Sequence, residues 1–490
     1  MKRQSREATL SSMNSFQLDP LSRRNFLKWS GGCASLSSTA ILSQILNLQL
    51  TQSVAADTTG GSDYKALVCV FLLGGVDSYN MITPHVQSEY DAYAGIRTNL
   101  ALPREDLLSI PTDSSSPGGR TLGIHPGMPE IQTLYNEGNA AVVANVGSLV
   151  FPTDKSNYST VKLPLGLFSH SDLIKHWQTS VPQSRSQVTG WGGRMADILN
   201  ATTNDNPNIA MNIALGSLNV FQTGGQIVPY VVNTSGATPL YGYGNNNARD
   251  RVYRRVIDHM YPSTADSELG QIYSDLLQQT LAKTKRVSID AADAFNSATD
   301  VTLNTTFPAE NRLAENLEMV AKTIAGRQTL GQGRQIFFVS AGGWDHHDEV
   351  IDNQAAMLPQ VSQALHAFYR ATEELGVADC VTTFTASDFA RTLSSNGNGS
   401  DHAWGGNHFV IGGAVRGGNT YGDYPESLAL NNDLDVGRGR LIPTTSVDEY
   451  NAELAMWFGI PNNQTLQDVL PNIRNFYASG GSSAPIGFLA

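Results

Sequence analysis

Uninterrupted aliphatic runs that stop at glycine are the sequence feature that most constrains the fold. The first is KALVCVFLL at Lys65–Leu73, and it stops at Gly74 and Gly75. A run of this kind, without polar alternation, is typical of a strand that is buried on both faces, as in a parallel sheet. Similar runs occur at 140–146, 335–340, 380–385 and 408–411. These five segments predict a set of buried, mostly parallel strands.

Helical patterns lie between the runs. Leu313, Leu317, Val320 and Ile324 recur at helical spacing, and residues 358–375 repeat the pattern. Strands that alternate with helices of this length predict an α/β domain around a mostly parallel sheet. In such sheets ligands bind beyond the carboxyl ends of the strands, so the residues just after each strand are the candidates for function.

The N-terminal segment predicts export. Residues 22–28 read SRRNFLK, and they precede a weakly apolar stretch at 31–50 and a small-residue exit at 54–56. This pattern is typical of a twin-arginine (Tat) signal peptide. Polar residues interrupt the stretch too often for a membrane span, which needs ~20 apolar residues. We therefore predict a Tat signal at 1–56, passage through the Tat translocase, and a periplasmic or secreted protein.

Residues 57–490 are predicted to form a single domain, with a cap or insertion at about 200–310. They contain 26 basic and 42 acidic residues, a net charge of −16. So acidic a body has no electrostatic attraction for phosphate backbones, which disfavours a nucleic-acid partner. No later segment is long and apolar enough for a stable membrane span. The three cysteines of the chain exclude a disulfide-dense scaffold.

Aspartate and histidine residues are concentrated just after or beside the predicted strands, in windows at 74–80, 342–348, 387–389 and 401–408. Carboxylates that converge at one edge of a sheet repel one another unless a cation neutralises them. Imidazole with carboxylate suits Zn²⁺, Mn²⁺ or Fe, whereas carboxylates alone favour Mg²⁺ or Ca²⁺. For one residue alone, a helix cap, an Asx turn or a solvated loop is the alternative. Taken together, the windows predict a divalent metal site, with Zn²⁺, Mn²⁺, Mg²⁺ and Ca²⁺ left open, whose candidate ligands are Asp77, Asp345, His346, His347, Asp388, His402 and His408.

The motifs in these windows resemble those of a known family. GGVDSYN, GWDHH, SDFART, DHAWG and GGAVRGG, with the Tat signal and the pair Ser169-His170, look like the domain of unknown function family 1501 over nearly the whole mature chain. Their order along the chain also resembles that of the alkaline phosphatase and sulfatase superfamily. The resemblance implies an alkaline phosphatase-like three-layer sandwich, with a mostly parallel central sheet and helices on both faces.

The superfamily resemblance also implies roles for single residues. It divides the ligands between two metal positions, one with Asp77 and Asp388 and the other with Asp345, His347 (or His346) and His402 or His408. It makes Ser169 the best candidate for the nucleophile. Ser169 directly precedes a helical run, and the N-terminus of a helix favours anions. Ser171 is an alternative nucleophile, and a simple helix cap is the structural alternative. Arg391, just past Asp388, is a candidate clamp for an oxyanion or, equally, a partner in a structural ion pair.

The chain departs from the superfamily pattern in ways that bear on activity. Phe389 follows Asp388 where the superfamily has His or Asn, and the spacing from Asp345 to His347 is shorter than usual. The Cys-x-Pro-x-Arg signature of sulfatases is missing from the sequence. These departures leave room for a single-metal site or for a catalytically inactive protein.

The main hypothesis is an exported, metal-dependent hydrolase that acts on phosphate or sulfate esters of small molecules or polymers. The alternative is a non-catalytic envelope or extracellular binding protein that retains the fold. A redox metalloprotein is a third hypothesis, because Tat substrates often carry a cofactor.

Overall fold

The computed structural model of the protein describes residues 64–490, apart from 111–119, 244–246, 263–274, 479 and 482. Contacts divide the chain into residues 1–55 and residues 56–490, and every described residue belongs to the second unit. The Tat signal at 1–56 lies outside the described residues, so export stays a prediction. Among the described residues, no helix has the length and apolarity needed to cross a membrane.

The strands fall into a central sheet and a small antiparallel one. They are β1 (Lys65–Leu73), β2 (Ile82–Pro84), β3 (Leu108–Ile110), β4 (Leu122–Ile124), β5 (Ala140–Gly147), β6 (Asn212–Leu215), β7 (Tyr230–Val232), β8 (Arg334–Gly342), β9 (Val381–Ser387), β10 (Gly406–Ile411), β11 (Thr420–Tyr421) and β12 (Thr445–Ser446). The central sheet has the order β11-β5-β10-β9-β1-β8-β6-β7, with β12 also paired to β5, and the small sheet has the order β2-β4-β3. All five predicted runs lie in the central sheet, which is mostly parallel as predicted.

Only β10 runs against its neighbours in the central sheet as described, because it pairs antiparallel with both β5 and β9. The run at 408–411 by itself suggested a parallel strand like the others, and in this respect the prediction is wrong. Parallel neighbours need a long crossover, usually a helix, whereas antiparallel neighbours need only a loop. The chain passes from β9 to β10 without a helix, so it re-enters the sheet at the edge where β9 ends.

Helices cover both faces of the central sheet. They are α1 (Ser78–Met81), α2 (Gln87–Arg97), α3 (Pro129–Asn136), α4 (His170–Thr179), α5 (Trp191–Thr203), α6 (Ala248–Met260), α7 (Leu276–Thr299), α8 (Arg312–Ala325), α9 (Val350–Glu374), α10 (Val447–Phe458) and α11 (Gln464–Val469), with short 3₁₀ turns at Thr98–Leu100, Arg104–Asp106, Ala378–Cys380 and Ile473–Asn475. The helices predicted near 313–324 and 358–375 are confirmed as α8 and α9.

Two hydrophobic cores, one on each face of β1, make the architecture three-layered. Val68 and Val70 pack into the core that contains α3, α8 and α9. Cys69 and Phe71 pack into the core that contains α4, α5, α10 and α11. Successive side chains of a strand point to opposite faces, so a strand that is buried on both faces needs an unbroken apolar run. The predicted α/β sandwich with helices on both faces is confirmed.

The range 200–310 contributes to the central sheet as well as to the helices. It contains β6 and β7, which extend the sheet beyond β8, and the helices α6 and α7. Its division from the rest as a cap or insertion stays a prediction.

Candidate metal centre

Four segments of the chain meet at one edge of the central sheet. β1, β8 and β9 are parallel, so the residues that follow them leave the same edge. Because β10 is antiparallel to β9 and β5, the loop that enters β10 and the loop that leaves β5 for α4 lie at that edge as well. Gly74 has a φ of +121°, and a Cβ there would lie 2.6 Å from the backbone nitrogen of Asp345. Glycine therefore permits the close approach of the loops after β1 and β8.

Three imidazole rings and one carboxylate converge in this crevice. Nε2 of His402 lies 3.1 Å from Nε2 of His170 and 2.9 Å from Nε2 of His347. The carboxylate oxygens of Asp345 lie 3.4 Å from Nε2 of His170, 3.1 Å from that of His347 and 3.5 Å from that of His402. These four side chains are 26% to 48% exposed, so a ligand from solvent can reach them.

The other nitrogen of each ring is held by an oxygen acceptor. Nδ1 of His170 lies 2.7 Å from Asp388, Nδ1 of His347 lies 3.0 Å from Asp401, and Nδ1 of His402 lies 2.8 Å from the carbonyl oxygen of Phe168. An ionised carboxylate or a carbonyl can only accept, so each Nδ1 carries the hydrogen. In the neutral rings the Nε2 lone pairs then face one another. Histidines that bind metals are held in this way, with the second nitrogen donating to a carboxylate or carbonyl.

The spacing of three of these groups fits one cation. The ligand atoms of His170, Asp345 and His402 all lie within 4.8 Å of one another, and two ligands at ~2.0–2.1 Å from one tetrahedral ion lie ~3.3 Å apart. His347 lies beside this group: its Nε2 is 2.9 Å from that of His402 and 3.1 Å from Asp345, and the guanidinium of Arg391 lies 3.5 Å from the same nitrogen. Burial lowers the pKa of His402, which keeps that ring neutral and available as a ligand. Three imidazoles with one carboxylate suit Zn²⁺, Mn²⁺ or Fe better than Mg²⁺ or Ca²⁺, which prefer oxygen.

Arg391 is fully buried and positions Asp345. Its guanidinium donates to the carboxylate of Asp345 and to the carbonyl oxygens of Gly74, Gly75, Trp344 and Ser400. Burial acts to raise the pKa of Asp345, but the hydrogen bond and the charge of Arg391 outweigh it, and the pKa is lowered. Arg391 therefore keeps this carboxylate ionised and oriented, while direct contact between Arg391 and a substrate stays a prediction.

Asp388 lies behind His170 and is 1% exposed. It accepts hydrogen bonds from the ring of His170 and, at 3.1 Å, from the backbone nitrogen of Gly74. Burial raises the pKa of Asp388, and the bond to His170 opposes that rise. In this position Asp388 orients His170, and direct metal binding by Asp388 stays a prediction.

Replacing Asp388 with asparagine is expected to weaken metal binding about 10- to 100-fold, the usual effect of changing a residue that orients a ligand. Asparagine keeps the shape of the side chain but loses the charge that holds Nδ1–H of His170. Competition with a chelator measures the change, and Asp433→Asn, at an exposed position, is the control. Equal metal affinity in the two variants would contradict an orienting role for Asp388.

Three of the predicted ligands lie outside this group in the structure. Asp77 is fully buried and forms an ion pair of 2.5 Å with the equally buried Arg97. His346 is 5% exposed and packs beside Trp344, with ring centroids 5.9 Å apart. His408 is buried, with its ring centroid 4.8 Å from that of Trp177. Metal binding by Asp77, His346 and His408 stays a prediction.

The burial of His408 predicts a loss of stability in acid. Burial lowers its pKa to about 3, so between about pH 6.5 and pH 3 the unfolded chain binds a proton that the folded chain excludes. Stability is therefore full above pH 6.5 and falls as the pH drops through this window. Compared with wild type, His408→Gln is expected to lose about 2–3 kcal/mol less stability between pH 7 and pH 4.5.

Urea unfolding at both pH values measures this difference. His125 and His176, whose pKa values burial lowers to about 4, contribute the same acid sensitivity to both proteins and cancel in the comparison. An equal loss of stability in wild type and variant would contradict the prediction.

Ser169 is the N-cap residue of α4, directly before His170, but its side chain makes no capping hydrogen bond. Its hydroxyl lies 3.3 Å from that of Ser171. Phe168 has a φ of +75°, which is unusual for an aromatic residue. Strained backbone of this kind concentrates at functional sites. Here it brings the carbonyl of Phe168 to His402, and the nucleophile role of Ser169 stays a prediction.

A cavity of about 300 Å³ opens beside the imidazoles. It is lined by Phe168, His347, Thr392, Asp401, His402, Arg438 and Arg440. The candidate metal centre is therefore accessible from a concave, largely polar space.

One family matches most of the chain. It is described as "Protein of unknown function (DUF1501)", and it matches residues 64–436, which include every group of the candidate centre. The chain belongs to the DUF1501 family. No protein with a curated description matches this DUF1501 protein in sequence.

Several solved structures are similar to this DUF1501 protein at low identity. The PsFucS1 sulfatase from Pseudoalteromonas sp. is 12% identical over 92% of this chain and 75% of that one, with a TM-score of 0.32. The lipoteichoic acid synthase LtaP from Listeria monocytogenes is 7% identical over 76% and 73%, with a TM-score of 0.29. A mutant of the alkaline phosphatase PafA is 11% identical over 69% and 64%, with a TM-score of 0.27. A sulfatase and an alkaline phosphatase are thus among the solved structures to which this chain is similar.

The sequence analysis missed three groups of this candidate site: His170 as a candidate ligand, and Asp401 and Phe168 as residues that hold the imidazoles. A long loop separates His170 from the end of β5, so no strand end marked it. Its place beside the candidate nucleophile Ser169 was the available signal. The carbonyl of Phe168 acts through its backbone, which no residue type reveals.

Proposed function

We propose that this protein is an exported, metal-dependent hydrolase of phosphate or sulfate esters that leaves the cytoplasm through the Tat translocase. The observation that carries the proposal is the convergence of Nε2 of His170, Nε2 of His402 and the Asp345 carboxylate within 4.8 Å of one another, with His347 directly beside them. The choice of ester class rests on the resemblance of the motif order to that of alkaline phosphatases and sulfatases.

A divalent cation at this centre would supply Lewis-acid stabilisation for the charge that develops on the ester oxygens. Asp388, Asp401 and the Phe168 carbonyl hold the three imidazoles in the required tautomer. The hydroxyl of Ser169 would attack phosphorus or sulfur, and its proton would pass to the departing ester oxygen. Water would then cleave the serine ester, restoring the hydroxyl and releasing phosphate or sulfate.

The test combines metal replacement with a panel of aryl phosphates and aryl sulfates. We expect the metal-stripped protein to be inactive and to regain turnover with Zn²⁺ or Mn²⁺. Ser169→Ala should retain the metal and lose most of the turnover, whereas Ser171→Ala, the matched control two residues away, should keep it. Full turnover in Ser169→Ala would remove Ser169 from the mechanism, and a metal-loaded protein that turns over no ester would contradict the hydrolase.

The second candidate is a non-catalytic binding protein of the envelope or extracellular space, and Phe389 favours it. Its buried ring lies 4.7 Å from the ring of His170 and 4.6 Å from that of His402, between centroids. An apolar ring therefore stands beside the centre at a position where the superfamily has another ligand.

The third candidate, a redox metalloprotein, requires iron, copper or another redox-active metal, so elemental analysis and the absorption spectrum test it directly.

A further inference from the structure

Two arginines line the cavity beside the candidate metal centre. Arg438 and Arg440 contribute guanidinium groups to the same lining as His347 and His402. The chain as a whole has a net charge of −12, so two arginines in one small cavity differ from the general character of its surface. A local positive charge inside a concave space concentrates anions there.

Arg438 is compensated by a neighbour. Its Nη2 lies 2.6 Å from Oδ2 of Asp401, whose other oxygen lies 3.0 Å from Nδ1 of His347. Arg438 thus helps to fix the carboxylate that orients His347, and its charge is balanced by Asp401.

Arg440 is the uncompensated cation of the cavity. Its guanidinium carbon stacks 4.8 Å from the ring centroid of Phe168, and its Nε donates to the carbonyl oxygen of Gly437 at 2.8 Å. Among the described residues, none accepts a hydrogen bond from its two terminal nitrogens. A guanidinium that is held by stacking and by Nε, with its terminal N–H groups free, is preorganised for a carboxylate, sulfate or phosphate.

Among the described residues, Arg440 forms no hydrogen bond or ion pair with the groups that converge at the metal centre. An anion bound by its free terminal N–H groups therefore uses donors that the metal centre does not.

We propose that Arg440 recognises a second anionic group, carried by the part of the ester that leaves. The inference rests on the proposed ester-hydrolase function and adds that the substrates are esters of acidic compounds. The cavity of about 300 Å³ is at the lower end of the size range of ligand pockets. It therefore suits a single ring with one acidic substituent better than a large neutral group.

Binding of two non-hydrolysable probes tests the inference without relying on turnover. Phenylphosphonate carries one anionic group, and 4-carboxyphenylphosphonate adds a carboxylate at the other end of the ring. In calorimetric titrations of the metal-loaded protein, we expect the carboxylated probe to bind about ten times more tightly or better, as for a charge-assisted hydrogen bond. Arg440→Gln should abolish this preference and leave the affinity for phenylphosphonate unchanged.

Two further variants complete the test. Arg440→Lys, which keeps the charge but loses the planar fork, should retain part of the preference, and Arg474→Gln, at an arginine that does not line the cavity, should retain all of it. The inference is overturned if wild type shows no preference, or if Arg440→Gln preserves it. It is also overturned if Arg440→Gln weakens both probes equally, because Arg440 would then hold the phosphonate itself. A preference that depends on Arg440 in a protein without ester turnover would support the anion site and contradict only the hydrolase.

Discussion

Replacing His402 with alanine is expected to remove the metal from the protein and with it all ester turnover. His402 contacts both other imidazoles and is one of the three groups within reach of one cation, so its loss removes a ligand and opens the site between His170 and His347. Loss of an orienting residue already costs about 10- to 100-fold in metal affinity, and loss of a ligand should cost more than 100-fold. Elemental analysis after dialysis against a weak chelator is expected to fall from one metal per chain to near none.

The control for His402→Ala is His259→Ala, at an exposed histidine of α6, which should leave the metal content unchanged. Stoichiometry in wild type is informative as well. One metal per chain agrees with the single candidate centre, whereas two would support the second position that the sequence analysis assigned to Asp77 and Asp388. A wild-type protein that binds no divalent metal, or an unchanged affinity in His402→Ala, would contradict the centre.

Replacing Arg97 with methionine is expected to have the largest effect on stability, about 3–5 kcal/mol, as for other buried ion pairs that lose one partner. Asp77 and Arg97 are both fully buried, and Nη2 of Arg97 lies 2.5 Å from Oδ2 of Asp77. Nη1 of Arg97 also donates to the carbonyl oxygen of Thr392 at 3.0 Å, and the hydroxyl of Ser400 donates to Asp77 at 3.2 Å. Methionine fills much of the space but leaves the carboxylate of Asp77 buried without a counter-charge. Urea unfolding at pH 7 measures the loss.

The double variant Asp77→Asn/Arg97→Met provides the control, because it removes both charges at once. It should recover much of the stability lost in the single variant, since no uncompensated charge remains.

Metal analysis of Asp77→Asn separates the two possible roles of Asp77, as a partner of Arg97 and as a metal ligand. Unchanged metal content would leave Asp77 with a structural role only, whereas loss of metal would support the ligand role predicted from the sequence.

The layered fold could be predicted because it depends on local patterns. A strand with helices on both faces must be apolar at every position, and Lys65–Leu73 has this property after its first residue. The helical spacing of the apolar residues at 313–324 is likewise specified by neighbouring residues. The orientation of β10 could not be predicted from its composition, because a short apolar run is the same read in either direction. Only the absence of a helix between β9 and β10 decides it.

The candidate centre was predicted in part. Asp345, His347 and His402 lie beside strand ends and meet as expected, and Asp388 lies behind them. His170 enters from a helix after a long loop, so no pattern near a strand announced it. His408 has the same residue type as His402 and lies close to it in sequence, yet it points into the core beside Trp177. Its burial follows from its place within β10, where alternate side chains face opposite layers.

The sequence by itself determined the five main strands, the helices at 313–324 and 358–375, the α/β class and the edge of the sheet at which chemically active side chains would collect. These depend on hydrophobic period and on strand ends, which neighbouring residues specify. Only the tertiary structure decided which of those side chains share a centre, because an aspartate gains its role from its partner. Asp77 meets the guanidinium of Arg97, Asp345 meets three imidazoles and Arg391, and Asp388 meets one imidazole. Electrostatic interactions between residues far apart in the chain depend on distances of a few ångströms, which packing sets and residue type alone does not.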